Sequence, residues 1–259
     1  MCGCVNEKGK WADVFKQFGE EEKFMLPAIF VVNLSFQMRN KETPQKKVGL
    51  GAISVKASSK WRGFNGASPI SAYMSQLHPL SPEAVLQIDE HTFPVMLKKG
   101  KFLISPFDEN DDHFYFIIRG VVRGYMLADG FEITTWINEE LELVGSIRNM
   151  GLDLENQEYL QALEDTTLIA VPKSFLAGMY EHFPEINVIG RRMLEKSYRD
   201  AEERAYIARL PSAEKRYERF ARTRVALLNR IPLKYTASYL GMKLETLSRI
   251  RARVRQKER

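Results

Sequence analysis

The chain has 259 residues, of which 44% are hydrophobic and 27% charged, an ordinary globular composition with length for one large or two modest domains. Its longest apolar run, Met25 to Phe36, is interrupted by Asn33 and falls short of the roughly 20 residues a membrane span needs. Glu20, Glu21 and Glu22 precede that run where a secretory signal would be basic, so a soluble cytoplasmic protein with no membrane partner is expected. The net charge of +5 hides a division: residues 74–190 carry 7 Lys and Arg against 19 acids, and residues 191–259 carry 20 against 8. The acidic middle would be repelled by phosphate and the basic end attracted to it. Cys2 and Cys4 are the only cysteines, too few for a disulfide framework or an iron–sulfur cluster.

In chain order, residues 1–73 show no period that assigns an element. Lys41 to Lys60 scatters Gly, Lys and Ser, and Trp61 to Ser71 is rich in Gly, Ser and Asn. Two readings stand: a loosely ordered extension, or sequence upstream of a start at Met74. Ordered structure is expected from Ser81, which can cap a helix with Pro82 at its first position and Glu83 in its first turn. Two apolar runs follow between Phe93 and Ser105, with Lys98-Lys99-Gly100 as the turn. His113 to Met126 is aromatic and β-branched, broken at Gly120 and Gly124. Ala128-Asp129-Gly130 is a hairpin signal before a strand from Phe131 to Asn138. Leu141 to Gly145 and Thr166 to Val171 complete a set of short strands, which suggests an antiparallel barrel or sandwich over 74–184.

The period turns helical after Pro172. Ser174 to Tyr180 reads as a short helix, and residues 185–210 as a long one. Leu194, Tyr198, Ala201, Ala205 and Ala208 are spaced 4, 3, 4, 3 along it. That is a seam for a second helix, and its small residues allow close backbone approach. A homodimer is expected, the alternative being that this face packs on the chain's own barrel. Pro211 stops the helix, Ser212 caps the next, and residues 211–259 form the last domain.

Leu233 to Val254 carries the clearest functional signal. Two short helices flank Gly241, where a tight turn needs a residue tolerant of positive φ. Ala237 supplies the small side chain at the crossing, and Leu233, Leu240, Leu247 and Ile250 the apolar contacts. This is a helix-turn-helix. At about 100° per residue, Leu247, Ile250 and Val254 share one side of the second helix, leaving Glu245, Ser248, Arg249 and Ala252 opposite. Glu can accept from cytosine N4, Arg can bridge guanine O6 and N7, and Ser can do either. Glu245, Ser248 and Arg249 are therefore the candidate base readers of double-stranded DNA. Lys234, Tyr235, Lys243, Arg251 and Arg253 are the candidate phosphate contacts.

With these residues in hand, Leu80 to Arg255 resembles the Crp/Fnr family of bacterial regulators. The resemblance implies an α+β fold: an antiparallel cyclic-nucleotide-binding-like β-barrel, a long dimerisation helix and a winged helix-turn-helix. Glu245-Thr246-Leu247-Ser248-Arg249 looks like the Fnr-type recognition helix. Leu244 stands where the cyclic AMP receptor half-site would call for arginine, and Lys243 where the family usually has a Ser or Thr cap. RNA polymerase is the further partner the family implies.

The ligand side departs from that pattern. Val144-Gly145-Ser146 lacks the glutamate that would hold a ribose hydroxyl, and Asn149 to Leu160 contains no arginine but has Asp153, Glu155 and Glu158. Such a wall argues against a cyclic nucleotide, with Arg148 the sole nearby cation; no cofactor is identified. A cupin-type enzyme would need several histidines, and Phe93 to Val171 holds one, His113; no enzyme is expected. A small-ligand sensor acting through protein contacts is the other alternative.

Overall fold

The computed structural model describes residues 60–106, 112–145 and 158–257, all within one structural unit. Its helices are α1 (Pro69–Leu77), α2 (Pro82–His91), α3 (Lys173–His182), α4 (Pro184–Arg209), α5 (Ala213–Thr223), α6 (Leu233–Tyr239) and α7 (Leu244–Lys257). The strands are β1 (Phe93–Leu97), β2 (Phe102–Ile104), β3 (His113–Arg119), β4 (Val122–Ala128), β5 (Phe131–Asn138), β6 (Leu143–Val144), β7 (Glu158–Ala162) and β8 (Thr166–Pro172).

The strands form two four-stranded antiparallel sheets, ordered β1-β8-β3-β6 and β2-β7-β4-β5. The turn at Lys98-Lys99-Gly100 therefore carries the chain from one sheet to the other. Ile104, Ile117, Val122, Val144, Leu160 and Leu168 meet in a buried core. Burying such a side chain contributes roughly 1.5–3 kcal/mol. Asp129 and Gly130 take φ of 51° and 80° at the β4–β5 hairpin, as a turn that follows strand twist requires. Gly124 does not break its strand, contrary to expectation. It lies inside β4 because a Cβ there would come within 2.2 Å of the Trp136 ring. An extra residue, Thr135, bulges β5 at that point.

A second core lies where α1 to α4 cover the first sheet: Trp61, Ile70, Met74, Ala84, Ile88, Phe116, Ile169, Met179, Ile186 and Ile189. Residues 60–73, read from sequence with the extension, are thus part of the packing. Ser81 caps α2, accepting from the Ala84 N–H at 3.3 Å. The remainder of the extension, with Cys2 and Cys4, lies outside the described residues.

A third core joins two regions that the sequence separates. Ile137 of β5 and, from the links between strands, Val121 and Leu163 pack with Ile207 of α4, Tyr217 and Phe220 of α5, and Leu227, Ile231, Ala237, Leu240, Leu247 and Ile250. Among the described residues no strand follows β8. The wing implied by the resemblance is therefore absent from 211–257. Helix α5 ends at Thr223, and a 3-10 turn, Val225–Leu227, takes up the link to α6.

Candidate nucleic-acid interface

Helices α6 and α7 are joined through Gly241, whose φ is +60°. A Cβ there would meet nothing within 4 Å, so the demand for glycine is conformational rather than steric. The Gly241 N–H donates to Ser238 O and the Met242 N–H to Ala237 O, both at 3.0 Å. Ala237 is 2% exposed and Leu247 fully buried, as two crossing helices in close contact require.

That crossing sorts the faces of α7. Leu247 and Ile250 are buried and Val254 half-buried. Glu245, Ser248, Arg249, Ala252 and Arg253 are exposed. Arg249 Nε donates to the Glu245 carbonyl at 3.3 Å. Among the described residues the side chains of Glu245, Ser248 and Arg249 form no ion pair, and their polar ends face outward. Arg249 and Arg253 also line an open cleft of 220 Å³ against Ala213 and Glu214, at the start of α5.

The candidate phosphate contacts fall in different settings. Lys234 and Lys243 are exposed, and Arg251 is half-buried. Tyr235 faces the sheet of β4 and β5 instead, with the Arg123 guanidinium 3.7 Å from its ring centre. One turn on, the Ser238 hydroxyl accepts from the Thr134 N–H and donates to Glu132 O, both at 2.9 Å. Strand β5 is an edge of its sheet, and Ser238 satisfies two of its backbone groups.

Sequence reasoning missed how the sheets and the C-terminal helices are tied electrostatically. Arg224 donates to Glu142 Oε1 at 2.7 Å and lies 3.5 Å from Asp200 of α4. Arg230 donates to Glu140 at 2.6 Å and Glu164 at 2.5 Å. Burial works against ionisation of Glu140, but hydrogen bonds from Arg230 and the Gly120 N–H outweigh it and hold the carboxyl at about 2. Burial, then the neighbouring Glu142, pushes Glu139 upward. Between α4 and α5, Arg219 grips Glu203 through two bonds of 2.6 Å.

The seam residues of α4 are not among its buried residues, Ile186, Ile189, Gly190 and Ile207. Leu194 and Tyr198 are more than half exposed, Ala205 and Ala208 are exposed, and Ala201 is half-buried. On the ligand side, residues 146–157, with Ser146, Arg148, Asp153 and Glu155, lie outside the described residues. Glu158 is 7% exposed and accepts from Trp136 Nε1 at 2.8 Å and Thr135 Oγ1 at 3.0 Å. His113 stands edge-on to the Phe93 ring at 5.4 Å.

Among solved structures, FixK2 from Bradyrhizobium japonicum aligns with 64% of this chain and 86% of its own, at a TM-score of 0.53 and 19% identity. A regulator from Eubacterium rectale assigned to the Crp/Fnr family aligns with 69% of this chain and 85% of its own, at 0.53 and 18%. No family model matches the chain. In fold, helix-turn-helix and sequence the chain is similar to DNA-binding transcription regulators of the Crp/Fnr type. In sequence it is 29% identical over 175 residues, 62% of this chain and 70% of the relative, to the transcriptional activator protein Anr of Pseudomonas protegens.

Proposed function

We propose that two copies of this chain pair along α4 and read an inverted-repeat operator, each placing α7 in a major groove about one helical turn from the other. The observation that carries this reading is the outward strip of Glu245, Ser248 and Arg249 above buried Leu247 and Ile250. Leu194, Tyr198, Ala201, Ala205 and Ala208 are the seam, all but Ala201 exposed among the described residues. The bound dimer acts on RNA polymerase in the cytoplasm. Any effector held by the barrel is not cyclic AMP, a reading supported by the buried carboxylate of Glu158 on β7.

Selection of bound sequences from random duplex DNA tests the operator, and an enriched inverted repeat is the expected result. On that repeat, Arg249→Ala is expected to cost about 1–3 kcal/mol of base discrimination while leaving salt-sensitive, sequence-independent binding. Undiminished discrimination by Arg249→Ala in a gel shift would refute the reading.

A further inference from the structure

Arg123 lies in β4 between Val122, which faces the sheet core, and Gly124, which sits against Trp136. It points outward yet is 1% exposed. Its Nε and Nη2 donate to Gln161 Oε1 at 3.0 and 2.8 Å, Nη2 also to Glu132 Oε2 at 2.5 Å, and Nη1 to Thr134 Oγ1 at 3.4 Å. The rings of Tyr125 and Tyr235 lie over it, 4.1 and 3.7 Å from ring centre to guanidinium carbon. A buried charge is costly unless it is paired, and among the described residues Glu132 is the only carboxylate paired with it. An apolar side chain could fill a position between strand and helix without that cost. A fork that bonds edgewise while its flat face takes an aromatic ring is a property of arginine that lysine lacks.

Among the described residues every partner but one belongs to the sheet of β2, β7, β4 and β5. The exception, Tyr235, is on α6. Tyr235 and Ser238 are three residues apart and so share a helix face; both seat on Glu132 to Thr134, one through Arg123 and one directly. Two attachment points fix a rotation as well as a distance. Helix α7 shares its core with α6, so the orientation of α6 is passed to the strip of Glu245, Ser248 and Arg249.

We propose that Arg123 is a positioning residue for DNA recognition: by holding Tyr235 it sets the angle between barrel and helix-turn-helix, and so the separation of the two recognition helices in a dimer. This rests on the inverted-repeat reading above.

The test uses the full chain with Arg123→Met, Arg123→Lys, Tyr235→Leu and Tyr235→Phe. Each is measured on a series of inverted repeats whose half-site spacing varies by single base pairs. Hydrogen exchange of the Thr134 amide, which donates to Ser238 across the contact, is followed in parallel without DNA. Wild type and Tyr235→Phe are expected to prefer one spacing. Arg123→Met, Arg123→Lys and Tyr235→Leu are expected to lose about tenfold of that preference, a usual size for coupling between sites. They should keep half-site base preference and exchange Thr134 faster. Wild-type spacing preference in both Arg123→Met and Tyr235→Leu would overturn the proposal. Faster Thr134 exchange in a chain whose wild type selects no repeat would sink the operator reading and leave the Arg123 contact standing.

Discussion

Glu139 and Glu140 are neighbours in sequence whose acidities are displaced in opposite directions. Folding takes Glu140 from the usual 4.5 to about 2. Its stabilising contribution is therefore complete above about 4.5 and lost as the pH falls toward 2. Folding raises Glu139, so its ionisation at neutral pH opposes the fold, and that penalty fades as the pH falls through the raised value. Glu140→Gln is expected to lower stability at pH 7 by about 1 kcal/mol, allowing for solvent screening of a partly exposed pair, and to match wild type near pH 2. Glu139→Gln is expected to cost nothing at pH 7, or to stabilise. Urea midpoints at the two pH values decide it; equal losses from both substitutions at pH 7 would contradict the assignment. None of this was legible in the sequence, where Glu139, Glu140 and Glu142 add to an acidic total and Arg224 and Arg230 to a basic one. A count of charges does not say which are spent on each other.

At the scale of elements, period and punctuation read well where one face of a segment is buried. The 26 residues of α4 and the Ser81 cap fall where the pattern puts them. Strand β7 escaped because Glu158, at an inward position, spoils the alternation, and its partners Trp136 and Thr135 are on β5. The segment from Lys60 to α1 escaped for a related reason: side-chain bonds to α2 hold it, not a repeat. Trp61 Nε1 donates to Asp89 O at 2.9 Å, the Ser68 N–H to Asp89 Oδ1 at 2.9 Å, and Lys60 Nζ to Glu90 O at 2.6 Å. Trp61 is fully buried. Trp61→Ala is expected to cost about 3–5 kcal/mol. A chain begun at Met74 forfeits Trp61, Ser68, Ile70 and Ser71 together and should unfold at a clearly lower temperature. An unchanged midpoint for that shorter chain would show that this packing contributes nothing.

At the scale of the molecule, the order of antiparallel sheets, long helix and helix-turn-helix was legible, and so was the outward strip of α7. The docking of the helix-turn-helix on the sheets was not. Arg123 and Tyr235 are far apart in the chain, and each looks ordinary among its neighbours, one in a strand and the other in a helix. That docking changes what the basic C-terminal region offers to DNA. Arg224 and Arg230 are committed to Glu142, Glu140 and Glu164, whereas Lys234, Lys243 and Arg253 are exposed. Each phosphate neutralised steepens the fall of log affinity with log salt by about 0.9. Lys243→Ala is accordingly expected to flatten that slope by about 1 per protomer, weakening all sequences alike. Arg230→Gln is expected to leave the slope unchanged while lowering stability, because its charge already faces carboxylates. Titrating binding from low to moderate salt with both variants separates the two roles. Equal flattening by Arg230→Gln would mean that Arg230 leaves Glu140 and Glu164 for phosphate, and that the barrel and the helix-turn-helix part when DNA binds.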